Sequence, residues 1–180
     1  RCAAMGELHL IENKSQTNYL YVLVSSGISH TMIINGRAWT GANGRAIGFG
    51  VTEIEHNGEF KSLESVASGL GIAREYERLS GVSVSGAVEV FQKFNSDSNS
   101  KIVIKQAAES LSRGLINLVE VLDPSKIIIG GGLWLGSQNY RELVGDLLPR
   151  TIKDIISMAS LSNSGLIGAG VMAQNSLKIE

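Results

Sequence analysis

The sequence predicts an α/β fold in which a helix and three or more mostly antiparallel strands come first and a mostly helical half follows. Three observations carry this prediction. Tyr19–Val24 is a continuous aromatic and β-branched run, which is typical of a strand covered on both faces. From Leu63 onward, apolar residues recur at spacings of three and four, as they do on helices. Around residues 126–148, a strand, a glycine turn and a helix follow one another, an arrangement whose strand end can carry a ligand.

The front half is predicted to begin with a helix. Residues from Ala3 onward lie at helical spacing to about Glu12, and a polar break follows. After the first strand, two further runs at 31–34 and 37–39 flank Asn35-Gly36. Asn-Gly between two such runs predicts a tight hairpin, because both turn positions must tolerate positive φ.

A glycine-rich stretch joins these strands to the helical half. It covers residues 41–50 and leads into a strand at 51–55. Asn57-Gly58 then predicts another turn, because this dipeptide again favours positive φ.

The back half is predicted to start with an amphipathic helix at 63–76, which Ser80-Gly81 ends. A long helix at 104–122 stops at Asp123-Pro124, because the residue before a proline disfavours the helical conformation. The remaining predicted elements are a helix at 84–94, a strand at 126–129, a turn at 130–132, a helix at 138–148, a continued apolar pattern at 152–158 that forms a strand or a turn, and a closing helix at 165–177.

Composition excludes several classes of protein. Lys plus Arg number 16 against 17 Asp plus Glu, which argues against a nucleic-acid surface, since that needs a basic excess. The single cysteine, Cys2, excludes a disulfide framework and a multi-cysteine zinc site. The longest apolar stretch, at 127–135, is interrupted by glycine and is too short for a bilayer, which takes about 20 residues. With no signal-peptide pattern, we expect a cytoplasmic protein with no membrane partner.

Two turns are candidate ligand sites. Gly130, Gly131 and Gly132 follow an apolar strand, so they either expose backbone N–H groups to a flat ligand or simply make a tight strand-to-helix turn. Residues 25–31 place small hydroxyl side chains around Gly27, where they either donate to a phosphate or form a plain hairpin connection. Neither turn has the phosphate-loop pattern that ends in Gly-Lys-Ser/Thr.

Four isolated polar residues are candidate site residues. Glu64 lies at a predicted helix start and has two interpretations: its carboxylate either complements the helix dipole or accepts hydrogen bonds from a polyol. His9, His30 and His56 are far apart and have no partner at metal-ligand spacing, so no metal site is expected.

Six segments have the order and separation of one family's motifs. They are Cys-Ala-Ala-Met-Gly-Glu at 2–7, residues 22–36, Trp-Thr-Gly-Ala-Asn-Gly at 39–44, Leu63-Glu64 with Ala-Ser-Gly at 67–69, residues 115–132 ending in Gly-Gly-Gly, and Gly-Leu-Ile-Gly-Ala at 165–169. Through these segments the chain resembles the C-terminal lobe of the ROK family, whose members are bacterial sugar kinases and sugar-responsive repressors.

The resemblance implies an actin-like, ribonuclease-H-like fold in which two lobes clamp ATP and a sugar. Residues 1–180 would form a single C-terminal lobe, and the catalytic aspartate and the N-terminal lobe would precede Arg1, so the chain alone would not phosphorylate a sugar. The resemblance also implies ATP with Mg²⁺ in the intact protein, a sugar partner and a homodimer. The implied nucleotide contacts are Gly27, Gly130, Gly131 and Gly132, and the implied sugar contacts are Asn43 and Glu64.

The chain departs from the family pattern at three places. The family's Gly-Glu-Ile-Gly-His segment loses its Glu and His to Gly48 and Val51, and each lost sugar partner costs about 1–3 kcal/mol. Residues 52–62 are shortened and lack cysteine, so the zinc of many members is not expected. Side chains are expected to crowd a phosphate at the loop, because four of its five glycines are replaced, by Ser25, Ser29, His30 and Thr31.

Three functions follow from this resemblance. The first is an ATP-dependent hexose or amino-sugar kinase whose activity is impaired or lost. The second is the sugar-sensing effector lobe of a transcriptional regulator. The third is a non-catalytic dimerisation scaffold.

Overall fold

The structure is a computed structural model, and it describes residues 1–11, 18–161 and 163–177. Its strands are β1 (Tyr19–Val24), β2 (Ile28–Ile34), β3 (Arg37–Ala38), β4 (Glu53–His56), β5 (Glu59–Ser62), β6 (Lys126–Gly130) and β7 (Ile156–Met158). Its helices are α1 (Cys2–Leu8), α2 (Leu63–Ala67), α3 (Gly69–Ser80), α4 (Ala87–Gln92), α5 (Ser98–Leu122), α6 (Gly132–Gly136), α7 (Gln138–Leu147), α8 (Arg150–Lys153) and α9 (Ser164–Leu177). A 3₁₀ turn, Gly48–Val51, precedes β4.

A mixed five-stranded sheet, in the order β3-β2-β1-β6-β7, lies at the centre of the described residues. β1 is antiparallel to β2 and parallel to β6, and β6 is parallel to β7. Asn35 and Gly36, with φ of 50° and 75°, make the predicted tight turn between β2 and β3. β4 and β5 form a separate hairpin around Asn57 and Gly58. The antiparallel start and the later parallel strands confirm the predicted α/β class.

Helices cover both faces of the sheet, because β1 is apolar on both. Leu20, Val22 and Val24 face the larger core, which α2 and the middle of α5 complete. Tyr19 and Tyr21 face a second cluster that includes residues of α1 and α9. A strand buried on both faces needs no polar alternation, and this explains the unbroken apolar run at 19–24.

Helices α1 and α9 pack closely because glycine lies where they cross. A Cβ on Gly168 would overlap the Cys2 carbonyl oxygen and would lie 2.7 Å from the Gly6 nitrogen. The buried carboxylate of Glu7 accepts hydrogen bonds from the Ser160 and Leu161 N–H groups at 3.1 and 2.9 Å. These bonds tie α1 to the segment that follows β7.

Local signals at both ends determine the limits of α5. Asp97 caps its start by accepting hydrogen bonds from the Asn99 and Ser100 N–H groups at 2.7 and 3.1 Å. The helix therefore begins at Ser98, six residues before the predicted apolar pattern starts at Ile104. It ends at Asp123, whose φ is 43°, immediately before Pro124, as predicted.

Several predicted boundaries are wrong. At 152–158, where the predicted layout has a strand or a turn, the structure has the end of α8 followed by β7, which pairs with β6. The helix predicted at 63–76 is divided at Ser68, whose backbone is extended. β2 begins at Ile28 because it continues the pairing with β1 beyond the predicted start at 31. α1 ends at Leu8, and the predicted end near Glu12 lies outside the described residues. No helix of the described part is long and apolar enough to span a bilayer.

Candidate functional site

The carboxyl ends of β1 and β6 bring the two candidate turns together. These strands are parallel, and Leu23 of β1 pairs with Gly130 of β6, so the residues that follow them emerge at the same edge of the sheet. The Ser25 hydroxyl lies 3.8 Å from the place that a Cβ on Gly132 would occupy. The structure therefore joins two segments that are more than a hundred residues apart in sequence.

The hairpin turn Ser25–Gly27 is held by the start of α3. The Gly69 N–H donates to the Ser25 carbonyl oxygen at 2.8 Å, and the Leu70 N–H donates to the Ser26 carbonyl oxygen at 3.3 Å. Because the first N–H groups of α3 are already used, this helix start is not available to a phosphate. Among the described residues, the Ser26 and Gly27 N–H groups make no hydrogen bond, so they remain available as donors beside the Ser25 hydroxyl.

Glu64 holds the other side of this turn. Its Oε2 accepts a hydrogen bond from the Ile28 N–H at 2.7 Å. A Cβ on Gly27 would lie 2.6 Å from the same oxygen, so this position is glycine because the carboxylate packs against it. Oε1 makes no hydrogen bond within the described part of the chain, and it can accept one from a ligand hydroxyl. The sequence did not predict that the carboxylate supports the turn; its free acceptor Oε1 leaves the interpretation as a polyol contact a prediction.

We expect Gly27→Ala and Glu64→Ala to be strongly non-additive. In the native background the new methyl group pushes the carboxylate away from the Ile28 N–H and costs about 1–2 kcal/mol. In the Glu64→Ala background the same methyl group meets no carboxylate, so its cost should fall to a few tenths of a kcal/mol. Urea unfolding of the four proteins of this double-mutant cycle measures the coupling. Equal costs of Gly27→Ala in both backgrounds would show that the packing described here is wrong.

A groove leads away from the turn. Its inner cavity, about 240 Å³, is lined by Ser25, Ser26, Gly69, Leu70, Gly86, Ala87, Val88, Gly132 and Leu133. Its outer cavity, about 300 Å³, shares Val88, Gly132 and Leu133 and adds Phe91, Gln92, Gly136, Ser137, Gln138 and Asn139. The inner part offers backbone and hydroxyl donors, and the outer part offers apolar surface with side-chain amides. Sequence reasoning missed the outer residues because nothing in the pattern of α4 or α7 marks them.

The three consecutive glycines have different roles. A Cβ on Gly130 would overlap the Tyr21 hydroxyl, and one on Gly131 would lie 2.7 Å from the carbonyl carbon of Val24. These two glycines therefore allow close packing, as one of the two sequence interpretations proposed. Gly132 lines both parts of the groove, and its α-carbon faces open space. The other interpretation, an open surface for a ligand, therefore applies to Gly132.

Three of the four residues that replace loop glycines lie within β2, beyond the turn: Ser29, His30 and Thr31. The side chains of His30 and Thr31 pack into the protein. Thr31 is 2% exposed, and the His30 ring contacts Phe49 edge to face at 6.2 Å between centroids. Ser25 is the replacement that borders the groove, and it contributes a hydroxyl donor there.

The region of the predicted sugar contact Asn43 is exposed to solvent. Asn43 is exposed in a turn of the glycine-rich stretch, and it makes no hydrogen bond to another described residue. The Arg1 guanidinium donates to the carbonyl oxygen of the neighbouring Gly44. Val51, which the resemblance places at the family's histidine, is 73% exposed. The described residues do not bring Asn43 and Glu64 into contact through any hydrogen bond.

We expect stability to fall as the pH drops below about 6.5, because the uncharged form is favoured for two histidines, half-buried His30 and buried His56. Burial lowers the pKa of His30, and burial with the nearby Lys61 lowers that of His56. The unfolded chain then binds more protons below its own pKa of 6.5, so the free energy of unfolding is largest above that pH and decreases as the pH falls through the folded values. The slope should not exceed about 1.4 kcal/mol per pH unit for each histidine.

Urea unfolding between pH 8 and 5, an interval that spans the ordinary histidine pKa, measures this dependence, with His30→Leu and His56→Leu as the test variants. Each substitution should flatten the profile, and both together should remove most of the slope. An unchanged slope in the double variant would assign the pH dependence to other groups.

Comparison with known proteins identifies relatives of this chain. A family model described as the ROK family matches residues 1–176. A β-glucoside kinase of Listeria innocua is 29% identical over 178 residues, which are 93% of this chain and 60% of that enzyme. An N-acetylmannosamine kinase of Vibrio vulnificus is 30% identical over 124 residues, 66% of this chain and 42% of that enzyme. The chain therefore spans three fifths or less of the length of these relatives.

Solved structures show the same fold. A ROK hexokinase from Thermus thermophilus superposes with a TM-score of 0.87 at 26% identity, covering 99% of this chain and 64% of that one. A ROK glucokinase from Streptomyces griseus, in complex with glucose and AMPPNP, has a TM-score of 0.70 at 20% identity, covering 97% and 66%. A ROK transcriptional regulator, a homologue of the E. coli Mlc protein, has a TM-score of 0.69 at 18% identity, covering 97% and 50%. These likenesses confirm the ribonuclease-H-like fold class.

Proposed function

The chain belongs to the ROK family, and on that premise we propose that it is the nucleotide-holding lobe of a sugar kinase-like protein with impaired phosphoryl transfer. The whole protein would use ATP, accompanied by Mg²⁺, and a hexose or amino sugar. The observation that carries this proposal is the groove between the Ser25–Gly27 turn and Gly132, because its inner end has free donors and its outer end is apolar.

The inner end of the groove fits the phosphates of a nucleotide, and the outer end fits its base. The free N–H group of Ser26 and the Ser25 hydroxyl line the inner end and are placed to donate to phosphate oxygens, while Gly27 beside them packs against Glu64. Gly132 leaves the approach to the main chain open. At the outer end, Phe91 and Leu133 offer apolar surface for a base, with amide groups of α4 and α7 beside them.

We propose weak phosphoryl transfer because two residues that would hydrogen-bond the sugar are replaced in this chain. Gly48 and Val51 cannot make the hydrogen bonds of the glutamate and histidine that they replace, so sugar hydroxyls would be held less firmly. Phosphoryl transfer depends on exact positioning, and a loosely held hydroxyl is a poor acceptor. No aspartate of the described residues lines the groove, so a catalytic base would have to come from another part of the whole protein.

The decisive experiment measures AMPPNP binding to the intact protein by calorimetry and phosphorylation of a hexose panel by a coupled assay. We expect binding, low turnover, and a loss of at least about tenfold in AMPPNP affinity for Gly132→Val. Gly145→Val on α7 is the matched control, since its α-carbon also faces open space but lies outside the groove. Absence of AMPPNP binding, or equal binding by the two variants, would contradict the nucleotide site. Turnover as fast as that of ordinary sugar kinases would contradict the impairment.

A non-catalytic role is the second candidate, either as the sugar-sensing effector lobe of a regulator or as a dimerisation scaffold. The simultaneous replacement of loop glycines and sugar partners favours it. A sugar that binds without being phosphorylated would support the effector lobe, and an intact protein that binds neither sugar nor nucleotide would support the scaffold. The homodimer and the cytoplasmic location remain predictions.

A further inference from the structure

A second polar cavity lies away from the groove, between the β4–β5 hairpin and α5. Its volume is about 290 Å³. The hairpin contributes His56 and Asn57 among its walls, and α5 contributes Gln106, Glu109, Ser110 and Arg113. The residues assigned to nucleotide or sugar contacts above do not line it, so the cavity has no role in the proposed function.

A chain of hydrogen bonds fixes one wall of this cavity. Asn57, whose φ is 54°, donates from its amide to His56 Nε2 at 3.2 Å and accepts at Oδ1 from the Gln106 amide, also at 3.2 Å. In this arrangement neutral His56 accepts at Nε2, and the remaining atom of the Gln106 side-chain amide is its acceptor Oε1. Gln106 Oε1 is buried and has no hydrogen-bond partner in the described part of the chain. A buried acceptor without a partner is costly, so a donor from a bound molecule is expected there.

The α5 side of the cavity also carries charges without partners. Glu109 and Arg113 are four residues apart on α5, yet the side chain of neither makes an ion pair or hydrogen bond with a described residue. Ser110 between them is 7% exposed, and its hydroxyl likewise makes no hydrogen bond among the described residues. The cavity therefore presents unused acceptors and unused donors side by side.

We propose that this cavity is a binding site for a small neutral polyhydroxylated molecule, such as a polyol or a monosaccharide. Each hydroxyl group donates one hydrogen bond and accepts two, so neighbouring hydroxyls satisfy Gln106 Oε1 and Glu109 as acceptors and Arg113 as donor. A simple anion would face the carboxylates of Glu55 and Glu109, and a simple cation would face Arg113. The volume equals that of about ten water molecules, which suits a ligand of this size.

The test is an amide NMR titration of the protein with glycerol, sorbitol and D-glucose, and separately with ammonium chloride and with sodium phosphate. We expect the neutral polyols, in the millimolar range, to shift the signals of Asn57, Gly58 and the middle of α5. Glu109→Gln should weaken this binding about tenfold. Glu120→Gln, an exposed glutamate of the same helix outside the cavity, should leave it unchanged.

Three results would overturn the proposal. The first is that no polyol shifts the hairpin signals, or that only ammonium or phosphate does so. The second is that polyols shift only the signals near Ile28 and Glu64, which would place them at the sugar end of the first site. The third is equal behaviour of the two glutamate variants. The Gly132→Val variant tests the groove separately, because Gly132 does not line this cavity, so failure of one site leaves the other one tested.

Discussion

Replacement of Gly131 by alanine is expected to destabilise the fold by about 3 kcal/mol or more. The backbone of Gly131 has φ of 102° and ψ of 151°, a region that is almost restricted to glycine. A Cβ there would also overlap the Val24 carbonyl group, and it would lie 2.9 Å from the Val24 nitrogen. Since β1 lies in the middle of the sheet, it cannot move aside without losing its pairing with β2 or β6. Backbone strain and backbone overlap therefore add at this one position.

The matched control is Gly132→Ala, one residue further along. The nearest atom to its new methyl group is the Ser25 hydroxyl oxygen at 3.8 Å, an ordinary contact distance. We expect its free energy of unfolding to stay within about 0.5 kcal/mol of the native value. Chemical denaturation of both variants measures the difference. Similar stabilities would mean that the turn can adopt another backbone conformation and that its geometry is not imposed by β1.

Gly168→Ala is expected to cost about 1–3 kcal/mol and to loosen the contact between α1 and α9. The new methyl group would overlap the Cys2 carbonyl oxygen and would lie 2.5 Å from the Cys2 carbonyl carbon. Both atoms belong to the backbone of α1, so no side-chain rotation can remove the overlap, and the two helices must separate. Separation would also disturb the Glu7 carboxylate, which holds the Ser160 and Leu161 N–H groups.

Gly170→Ala on the same helix is the control. No atom lies within 4 Å of its added methyl group, and alanine favours a helix by up to about 1 kcal/mol over glycine. The two substitutions should therefore change stability in opposite directions. Thermal unfolding followed by circular dichroism, with hydrogen exchange in α1, measures both effects. If Gly168→Ala proved as stable as Gly170→Ala, the close crossing of these helices would be wrong.

Structural features that depend on only a few neighbouring residues were predictable from the sequence. The positive φ values of Asn35 and Gly36 follow from the Asn-Gly pair itself, and the end of α5 at Asp123 follows from the proline after it. The strand at 19–24 was predictable because only a strand covered on both faces is apolar throughout. The family motifs likewise identified Glu64 and the glycine turns, although not what each atom contacts.

Pairing over long distances was not predictable in the same way. Ile156–Met158 is a three-residue segment whose pattern allows a strand or a turn, and its pairing with β6 makes it a strand. The break at Ser68 has both a local and a distant origin. The Ser68 hydroxyl oxygen caps α3 by accepting from the Gly71 N–H at 3.1 Å, and the Gly69 and Leu70 N–H groups donate to the carbonyl oxygens of Ser25 and Ser26. The pairing of β7 with β6 and the contact of α3 with the Ser25 turn join residues far apart in sequence, so neither could be derived from local preference.

By itself, the order of residues determined the α/β class, the turns and the family, because these depend on backbone preferences and motif spacing along the chain. Only the tertiary structure separated the roles of Gly130, Gly131 and Gly132, which are chemically identical in sequence. It also decided that Gly27 accommodates a carboxylate and that Gln106 keeps an unused acceptor. The physical reason is that the role of a glycine or a buried polar atom depends on which distant atoms pack around it, and the linear chain does not contain that information.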